Sequence, residues 1–596
     1  MATTADQPQS SLSPVEQRLI EHITCGDVLD LAGDQPVDEA AMRSWDDTRT
    51  ISASVIRDIL RGRHVTDPDP HGLRLRGARI DGRLDLENIT SGMWLELVDC
   101  FLELGVNARN ADLKGLVLSG CRLSHPTEPP LDGDRLTTSA VFLNRTVIDA
   151  HAAGGAVRLL GAHLGEQLDC SGARLVNDSG PALDADSLQV GHGMFLNNGF
   201  QAIASSDLAA VRLLSAHIAV LDCDTARLVN DSGPALHADN LRVDHGMYLR
   251  GGFQATGSSE LGAVRLIGAH LGGQLDCSGA RLVNDSGPAL HADNLQVDHG
   301  MYLRGGFQAT GSSELGAVRL IGAHLGMLDC ETARLVNDSG PALNADRLRV
   351  DQSMFLGNDF QATASGDDVV LHLSDTHIGG VLFVSPNSLE HRTHPHHKLR
   401  LDGLTYTGLP QGVTPDQWLA LLRHDTVDYA AQPYQHLAAA HRAAGHDREA
   451  RHVLIAQRQD QIRRHALTGR TTRMWARLTG LLLGYGYKPW RALIALAAVL
   501  AAAVVAAVIL GGTYGALAQT RTPPTATPVP CTWVEHVGVG LDLGTPLLTT
   551  GTRTRCDTTN TTPGHILTIT GWTLRLLAWA FATLFIAGFT GAVRKT

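Results

Sequence analysis

The chain has 596 residues, with 61 Asp or Glu against 49 Lys or Arg side chains and a formal net charge of −12. This length suits several domains, and a hydrophobic share of 43% excludes a disordered or collagen-like chain. Lysine occurs only at Lys114, Lys398, Lys488 and Lys595. The composition is therefore not that of a polycationic nucleic-acid-binding protein, and we expect no nucleic-acid partner.

Residues 1–70 are predicted to form a helical N-terminal cap. The chain begins without a basic start or an apolar run, so we expect no signal peptide and a cytoplasmic location for the N-terminal part. Apolar residues recur at helical spacing over 14–31 and 51–60, with Ser13 and Ser52 placed as N-terminal starts. These helices would cover the first coil of the array that follows, whose strand edges would otherwise pair with other chains.

Residues 71–405 are predicted to form a repeat array. The segment ARLVNDSGPAL begins at Ala173 and recurs at Ala226, Ala280 and Ala333, which defines a unit of 53 or 54 residues that is clearest over 160–385. Short alternating stretches such as AVRLIGA and GMYLRGG are separated by Gly, Asn, Asp and Ser, a pattern typical of very short strands and turns. We therefore predict a mainly β fold, a solenoid of stacked coils with a narrow apolar interior.

Cysteines and histidines recur with this unit. A unit of this length should span at least two coils, and neighbouring coils lie about 4.8 Å apart, so equivalent residues should be roughly 10 Å apart along the axis. A disulfide needs Cα atoms within about 7 Å and zinc needs converging ligands, so we interpret the four cysteines as buried wall residues. The same spacing favours a structural role for both histidine rows. The residues concerned are Cys170, Cys223, Cys277 and Cys330, then His163, His217, His270, His324 and His377, then His192, His245 and His299.

A search for chemistry finds one candidate metal site. No glycine-rich dinucleotide motif, P-loop, nucleophile elbow or zinc-protease motif occurs in a suitable context, so we predict no catalytic residue and no cofactor. The cluster HRTHPHH places His391, His394, His396 and His397 close together, and imidazoles are common metal ligands. The same residues suit a solvated loop that leaves the array.

Residues 413–490 are predicted to be helical and then basic. Thr414, a following Pro415 and Gln417 form a capping box that opens a helix to about His424. A helical hairpin with its turn at Gly445 follows and resembles a single tetratricopeptide-type helix pair, which we interpret as a rigid adaptor; the alternative is a peptide-binding groove. The basic stretch over 458–491 would lie against anionic lipid headgroups.

Two membrane spans are predicted, over 491–512 and 566–592. The run 492–510 is unbroken and apolar, and its 19 residues span roughly 30 Å of hydrocarbon. The second candidate contains one charge, Arg575, which sits near one end and could snorkel to an interface. Basic residues precede the first span, and Arg594 and Lys595 follow the second, so we expect a two-pass protein of the cell membrane with both termini in the cytoplasm.

The segment 513–565 would then be extracytoplasmic. Cys531 and Cys556 lie in it and are the two cysteines that would meet an oxidising compartment, so we predict a disulfide between them. The apolar stretch 537–548 has two interpretations. It could rest on the outer leaflet as an amphipathic segment, or it could enter the membrane as in a two-span channel subunit.

Several segments together resemble a known family. RLRGARIDGRLDLENI (74–89), ADLKGLVLSGCRL (111–123) and the AHL and ARL elements resemble right-handed β-helices of pentapeptide-like repeats. With RTISASVIRDIL (49–60), PYQHLAAAHRAAGHDREARHVLIAQ (433–457), GYGYKPWRAL (484–493) and a two-span tail, nearly the whole chain resembles actinobacterial proteins usually named membrane-associated oxidoreductases. The resemblance implies a right-handed β-helix, a membrane anchor and, by name alone, a redox activity.

The sequence favours a non-catalytic function. We predict a membrane-anchored scaffold, with the lipid bilayer as one partner, a protein partner on the solenoid surface, and a homo-oligomer through the spans as a further candidate. Two alternatives stay open: a membrane-associated oxidoreductase, as the resemblance implies, and a two-span pore-forming or channel-like subunit.

Overall fold

The structure is a computed structural model that describes residues 12–34, 37–464, 480, 490–520, 529–545 and 549–590. It divides into two compact units, Met1–Ala444 and Gly445–Thr596. The first unit contains the repeat array that the sequence predicts. The predicted basic stretch over 458–491 lies mostly outside the described residues.

The N-terminal cap contains three α-helices, α1 (Pro14–Cys25), α2 (Glu39–Arg43) and α3 (Ala53–Leu60). Ser13 and Glu16 form a capping box at the start of α1, and Ser52 is the residue before α3, as predicted. The helix predicted over 14–31 ends earlier, because Gly26 adopts a left-handed conformation with φ 74°. Between the helices, two short strands pair with the first coil and extend its sheets, so the cap covers the array with backbone as well as with side chains.

The array is a β-solenoid of about 13 turns, as predicted. Each turn, called a coil here, contributes strands to three parallel sheets that run along the axis. Sheet A contains Leu29–Asp30, Leu73–Arg76, Thr90–Val98, Asp112–Val117, Thr137–Phe142, His163–Asp169, Gln189–Phe195, His217–Asp222, Arg242–Val243, Met247–Tyr248, His270–Leu271, Leu275–Asp276, Gln296–Tyr302, His324–Asp329, Arg349–Val350, Met354–Leu356, His377–Ile378 and Leu382–Val384.

Sheets B and C complete each coil. Sheet B contains Thr50–Ser52, Arg79–Asp81, Phe101–Leu102, Arg122–His125, Val147–Ala150, Arg174–Asn177, Gln201–Ala204, Arg227–Asn230, Gln254–Gly257, Arg281–Asn284, Gln308–Gly311, Arg334–Asn337, Gln361–Ala364 and Leu389–His391. Sheet C contains Leu84–Asp85, Val106–Asn107, Leu131–Asp132, Val157–Arg158, Leu183–Asp184, Val211–Arg212, Leu236–His237, Val264–Arg265, Leu290–His291, Val318–Arg319, Leu343–Asn344, Leu371–His372 and Leu399–Arg400. Strands of unequal length follow one another in each coil, so the structure gives no support to a five-residue rhythm.

The repeat unit spans two coils, as the sequence predicts. In sheet A, His163 pairs with Gln189 of the next coil, and Gln189 pairs with His217 of the coil after that. Equivalent residues of successive units are therefore separated by one intervening strand, or about 10 Å. The same relation holds in sheet B, where Arg227 pairs with Gln254 and Gln254 pairs with Arg281.

The interior explains why the unit has two coils. At the entrance to sheet B, alanine and phenylalanine alternate from one coil to the next, and all of them are fully buried. Hydrogen bonds place these residues in consecutive coils, since Gln254 N–H donates to the Ala226 carbonyl and Arg281 N–H donates to the Phe253 carbonyl, each at 2.8 to 2.9 Å. A large ring in one coil thus packs over a small side chain in the next. The alternating residues are Ala173, Phe200, Ala226, Phe253, Ala280, Phe307, Ala333 and Phe360.

The repeated NDSGP turn is fixed by its asparagine. Asn284 is 1% exposed, and its side-chain amide donates to the carbonyls of Ser259 in the previous coil at 2.7 Å and of Pro288 at 2.8 Å. Its side-chain oxygen accepts from Ser259 N–H at 3.1 Å. The asparagine side chain therefore supplies hydrogen-bond partners to backbone N–H and C=O groups where the chain turns from sheet B to sheet C. Asn177, Asn230 and Asn337 occupy the same place.

Helices follow the last coils. Isolated bridges join His377 to Thr405 and Leu399 to Thr426, so strand pairing continues past the predicted boundary at 405. The capping box of Thr414 and Gln417 opens α4 (Pro415–His424), as predicted, and α5 (Gln432–Ala443) ends the first unit. The second helix of the predicted hairpin, α6 (Asp447–Arg463), begins the second unit.

The second unit contains two helices long and apolar enough to cross a membrane, α7 (Trp490–Tyr514) and α9 (Thr562–Phe589). A short helix, α8 (Trp533–Gly544), lies between them in the chain and packs against both. Its contact with α7 is close, because a Cβ added at Gly540 would lie 2.6 Å from the Val504 Cα atom. The strands Leu517–Gln519 and Cys556–Thr558 pair next to it, and a disulfide joins Cys531 to Cys556.

Candidate binding face of the solenoid

The four repeat cysteines lie in the interior. Each is at most 1% exposed, and each shares its ladder position with a buried leucine in the next coil, as Cys223 does with Leu249. Burial raises the pKa of all four thiols, so they stay protonated at neutral pH. They contribute apolar packing to the wall, as the spacing argument predicts.

The histidine cluster at 391–397 is brought together only in part. The rings of His394 and His397 stack with centroids 4.7 Å apart, and His391 lies 5.6 and 6.1 Å from them. Both nitrogens of His391 are engaged, because Nε2 donates to the Asp368 carbonyl at 2.7 Å and Nδ1 accepts from His394 N–H at 2.9 Å. His396 instead lies 3.7 Å from Asp425. Among the described residues, no three His, Cys, Asp or Glu side chains are placed to hold a metal ion, and the metal site stays a prediction.

The exposed histidines of sheet A pair with aspartates of the following coil. His217 Nε2 lies 2.8 Å from Asp244, His270 lies 3.4 Å from Asp298, and His324 lies 2.9 Å from Asp351. The side chains are about half exposed. These pairs recur every second coil and form a polar row, but neighbouring pairs are too far apart to act on one bound atom.

Sheet C is an internally paired charge ladder. Arg265 lies 2.6 Å and His237 lies 3.2 Å from Asp239, and Asp293 binds Arg319 and His291 in the same way. Burial alone would raise the pKa of Asp239, but its hydrogen bonds with His237 and Arg265 outweigh burial and lower it. These side chains are less than one fifth exposed. Sheet C therefore satisfies its own charges and offers few to a partner.

Sheet A presents a second row in which aromatic rings and carboxylates alternate. The pairing of consecutive strands places Phe195 between Asp169 and Asp222, and Tyr248 between Asp222 and Asp276. The rings are half-buried. Along the axis the row contains Phe142, Asp169, Phe195, Asp222, Tyr248, Asp276, Tyr302, Asp329, Phe355 and Phe383.

Two arginines of the chain already bind to rings of this row. The guanidinium of Arg250 lies 4.4 Å from the centre of the Tyr248 ring and 2.8 Å from Asp224, and it approaches Asp276. Arg304 makes the same ring contact, 4.6 Å from the centre of the Tyr302 ring, and its closest carboxylate is Asp329 of the row at 3.1 Å. A ring face flanked by carboxylates is a favourable site for a planar cation. The row is thus a series of cation sites, two of which are occupied by the chain's own arginines.

At Phe195 the corresponding arginine is absent from the sequence. Asn197 stands two residues after Phe195, where Arg250 and Arg304 stand after Tyr248 and Tyr302. Asp169 accepts from Ser171, and Asp222 accepts from Asn197 at 2.9 Å, but no cation in the described part of the chain forms an ion pair with either carboxylate. Phe195, Asp169 and Asp222, called the open site here, therefore combine a partly exposed ring with two carboxylates that form no ion pair with a described residue.

The open site was not predicted from the sequence. The signal that could have found it is the alternation of the triplets LDC and M(Y/F)L in successive coils, as at 221–223 and 247–249. The alternation becomes meaningful only once Asp222 and Tyr248 are known to be neighbours in one sheet.

Comparisons of the chain with protein-family models, with curated proteins and with solved structures find no significant match. The solenoid and the two apolar helices agree with the resemblance given above. The redox activity that its name implies stays a prediction.

Proposed function

We propose that the protein is a membrane-anchored scaffold whose solenoid binds a basic segment of a protein partner along sheet A. The observation that carries the proposal is the open site, where Phe195 lies between Asp169 and Asp222 as Tyr248 lies between Asp222 and Asp276, but without an arginine two residues later. An arginine of a partner would stack on the ring and pair with Asp169 and Asp222. Each such contact contributes about 1 to 2 kcal/mol when partly desolvated.

Anchoring completes the proposed function. The helices α7 and α9 would hold the protein in the cell membrane, and the basic residues before α7 and after α9 favour cytoplasmic termini. A tethered solenoid presents its sheets to the cytoplasm, where a partner is held near the membrane. Neither step needs a catalytic residue.

The test is quantitative co-purification from native membranes. The full chain is compared with the double variant Asp169→Asn and Asp222→Asn, which removes both charges and keeps the size and one acceptor oxygen of each side chain. We expect at least one protein to be recovered with the wild type and to fall about tenfold or more with the variant, which corresponds to roughly 1.4 kcal/mol.

The matched control removes two charges elsewhere. Asp207→Asn with Glu260→Gln changes the net charge equally at exposed turns that lie outside sheet A. If the co-purified partner fell equally with the open-site variant and the control variant, the effect would be one of net charge in general. If the partner were recovered equally with the wild type and both variants, the open site would not be its binding site. In either case the proposal would be wrong.

A second candidate function is a channel-like subunit. The observation that favours it is α8, which packs against both apolar helices and buries His536 and Asp542. Polar side chains buried in an apolar helical unit are typical of ion and proton pathways. The full chain in liposomes would then conduct ions, and Asp542→Asn would change the flux. Absence of flux from wild-type liposomes would remove this candidate.

A further inference from the structure

Sheet B presents an arginine row that the proposed function does not use. The first outward residue of each strand is alternately Arg and Gln in eight consecutive coils, from Arg174 to Gln361. Arg174 pairs with Asp149 at 3.3 Å, whereas Arg227, Arg281 and Arg334 form no ion pair with any residue that the structure describes. These three guanidinium groups are exposed and lie about 10 Å apart along the axis.

An aspartate row runs parallel to the arginine row. Asp231 and Asp285 are exposed and lie four residues after Arg227 and Arg281, at the end of the same strands. At about 3.3 Å per residue, the two rows are roughly 13 Å apart. Between them, the third residue of each strand is Val or Thr in the central coils, including Val229, Thr256, Val283 and Thr310. Sheet B thus has one basic edge, one acidic edge and a middle row of small side chains.

This pattern is complementary to itself in only one arrangement. If a second copy faces sheet B and is rotated by 180° about a line parallel to the solenoid axis, its left and right edges exchange. Its aspartate row then faces the arginine row at the same height, and its arginine row faces the aspartates. Rotation about a line parallel to the strands instead keeps left and right, so arginines would face arginines. Only the first arrangement pairs opposite charges on both edges.

We propose that two copies of this chain associate face to face through sheet B, with parallel solenoid axes and a two-fold axis along the middle row. Arg227 of one copy meets Asp231 of the other, and Arg281 meets Asp285. The middle row packs against its own counterpart, so Thr256 of one copy lies next to Thr256 of the other. Sheet A stays free, and the proposed partner binding is independent of this association.

The area of sheet B that would be buried indicates how strongly two copies should associate. Eight strands at about 4.8 Å and four residues per strand cover roughly 500 Å² on each copy, or about 1,000 Å² in total. This is the lower limit for a specific interface, so the pairing should be weak in dilute solution. Two chains anchored in one membrane are held at a high effective concentration, which favours a weak interface.

The opposed charges also distinguish this occupant from others. A nucleic acid or an anionic membrane surface would be attracted by Arg227 and Arg281 and repelled by Asp231 and Asp285 at the same depth. A uniformly basic or acidic protein partner would likewise be attracted by one row and repelled by the other. A second copy satisfies both edges at once.

The test is a charge exchange in the full chain, kept in membranes. One variant carries Arg227→Glu with Arg281→Glu, and the other carries Asp231→Arg with Asp285→Arg. Each alone places like charges on both edges, whereas a mixture of the two pairs opposite charges on both edges. A single chain with all four substitutions also regains complementarity. The readout is cross-linking of Thr256→Cys by a short bis-maleimide, because sheets that pack face to face lie about 10 Å apart, too far for a direct disulfide. The background carries Cys25→Ser, because Cys25 is the exposed free cysteine among the described residues.

We expect self-cross-linking of the Thr256→Cys protein, a loss of about tenfold in each charge variant, and recovery in the mixture and in the four-fold variant. His245→Cys on sheet A is the control and should not cross-link. Melting curves of all variants check that they remain folded. Cross-linking of either charge variant at the wild-type level would overturn the proposal, as would failure of the mixture to recover. Loss of partner binding at the open site would leave this result unchanged.

Discussion

At the scale of single residues, the buried asparagine of each NDSGP turn is the polar side chain on which the coil depends most directly. Replacing Asn284 by Ala removes three hydrogen bonds, two donated to the carbonyls of Ser259 and Pro288 and one accepted from Ser259 N–H. We expect the free energy of unfolding to fall by about 2 to 4 kcal/mol. Denaturant unfolding monitored by circular dichroism measures this change.

The neighbouring aspartate is the control for this prediction. Asp285 is exposed and follows Asn284 in the same turn, so Asp285→Ala should change the unfolding free energy by less than about 0.5 kcal/mol. If both variants unfolded at the same denaturant concentration as the wild type, the asparagine would not hold the turn.

Asp184 in sheet C predicts a stability that depends on pH. Burial, together with the nearby Asp186 carboxylate, raises the pKa of Asp184 to about 6. A carboxyl whose pKa is higher in the folded than in the unfolded state stabilises the fold at low pH and loses that contribution as the pH rises through 6. Asp184→Asn should therefore raise the unfolding free energy by about 1 to 3 kcal/mol at pH 8 and by little at pH 4.

For Asp186 we expect the opposite change in the free energy of unfolding. Its carboxylate binds Arg212 and accepts from Leu214 N–H at 3.0 Å, so Asp186→Asn should destabilise the protein at pH 8. Thermal melts of both variants across this pH range check the pair. A stabilising effect of Asp184→Asn that persisted unchanged at pH 4 would contradict the account.

At the scale of elements, the alternation of Phe and Ala makes the pair of coils the unit of packing. Deleting residues 227–280 joins Ala226 to Arg281 and keeps a phenylalanine over every alanine, so we expect a folded protein with a similar melting temperature. Deleting residues 227–253 removes one coil and places Ala226 over Ala280. The cavity should cost about 3 to 5 kcal/mol, as for Phe→Ala in a core.

Melting temperatures and hydrogen exchange of the two deletion variants decide this prediction. The one-coil deletion should lose protection in the coils next to the junction, because each coil of a solenoid contacts only its neighbours. Equal stability of the two variants would show that packing does not define the unit.

Much of the fold could be predicted from the sequence because its signals are local. The period of the repeat, the helix start at Ser13, the capping box at Thr414 and the apolar run of α7 depend on residues close together in the chain. The candidate site could not be predicted in this way. Asp222 and Tyr248 are 26 positions apart and become neighbours only through strand pairing, whose register the turn lengths determine. The packing of α8 against α7 was likewise open, because close contacts at Gly540 and Gly544 decide it.

At the scale of the whole molecule, the three sheets of the solenoid have different roles in this account. Sheet C pairs its own charges, sheet B carries two opposite charge rows suited to a second copy, and sheet A carries the open site. Duplication of a two-coil unit lengthens all three surfaces together. A scaffold can thus acquire further cation sites on sheet A while its spacing stays constant.

The central claim, that the open site of sheet A contacts a partner, is tested most directly by photo-cross-linking in living cells. A photoreactive phenylalanine analogue replaces Phe195 in one variant and Tyr248, beside Arg250, in the other. We predict a protein adduct at position 195 and much less at 248, where Arg250 occupies the site. No adduct at either position, or equal adducts at both, would contradict the claim.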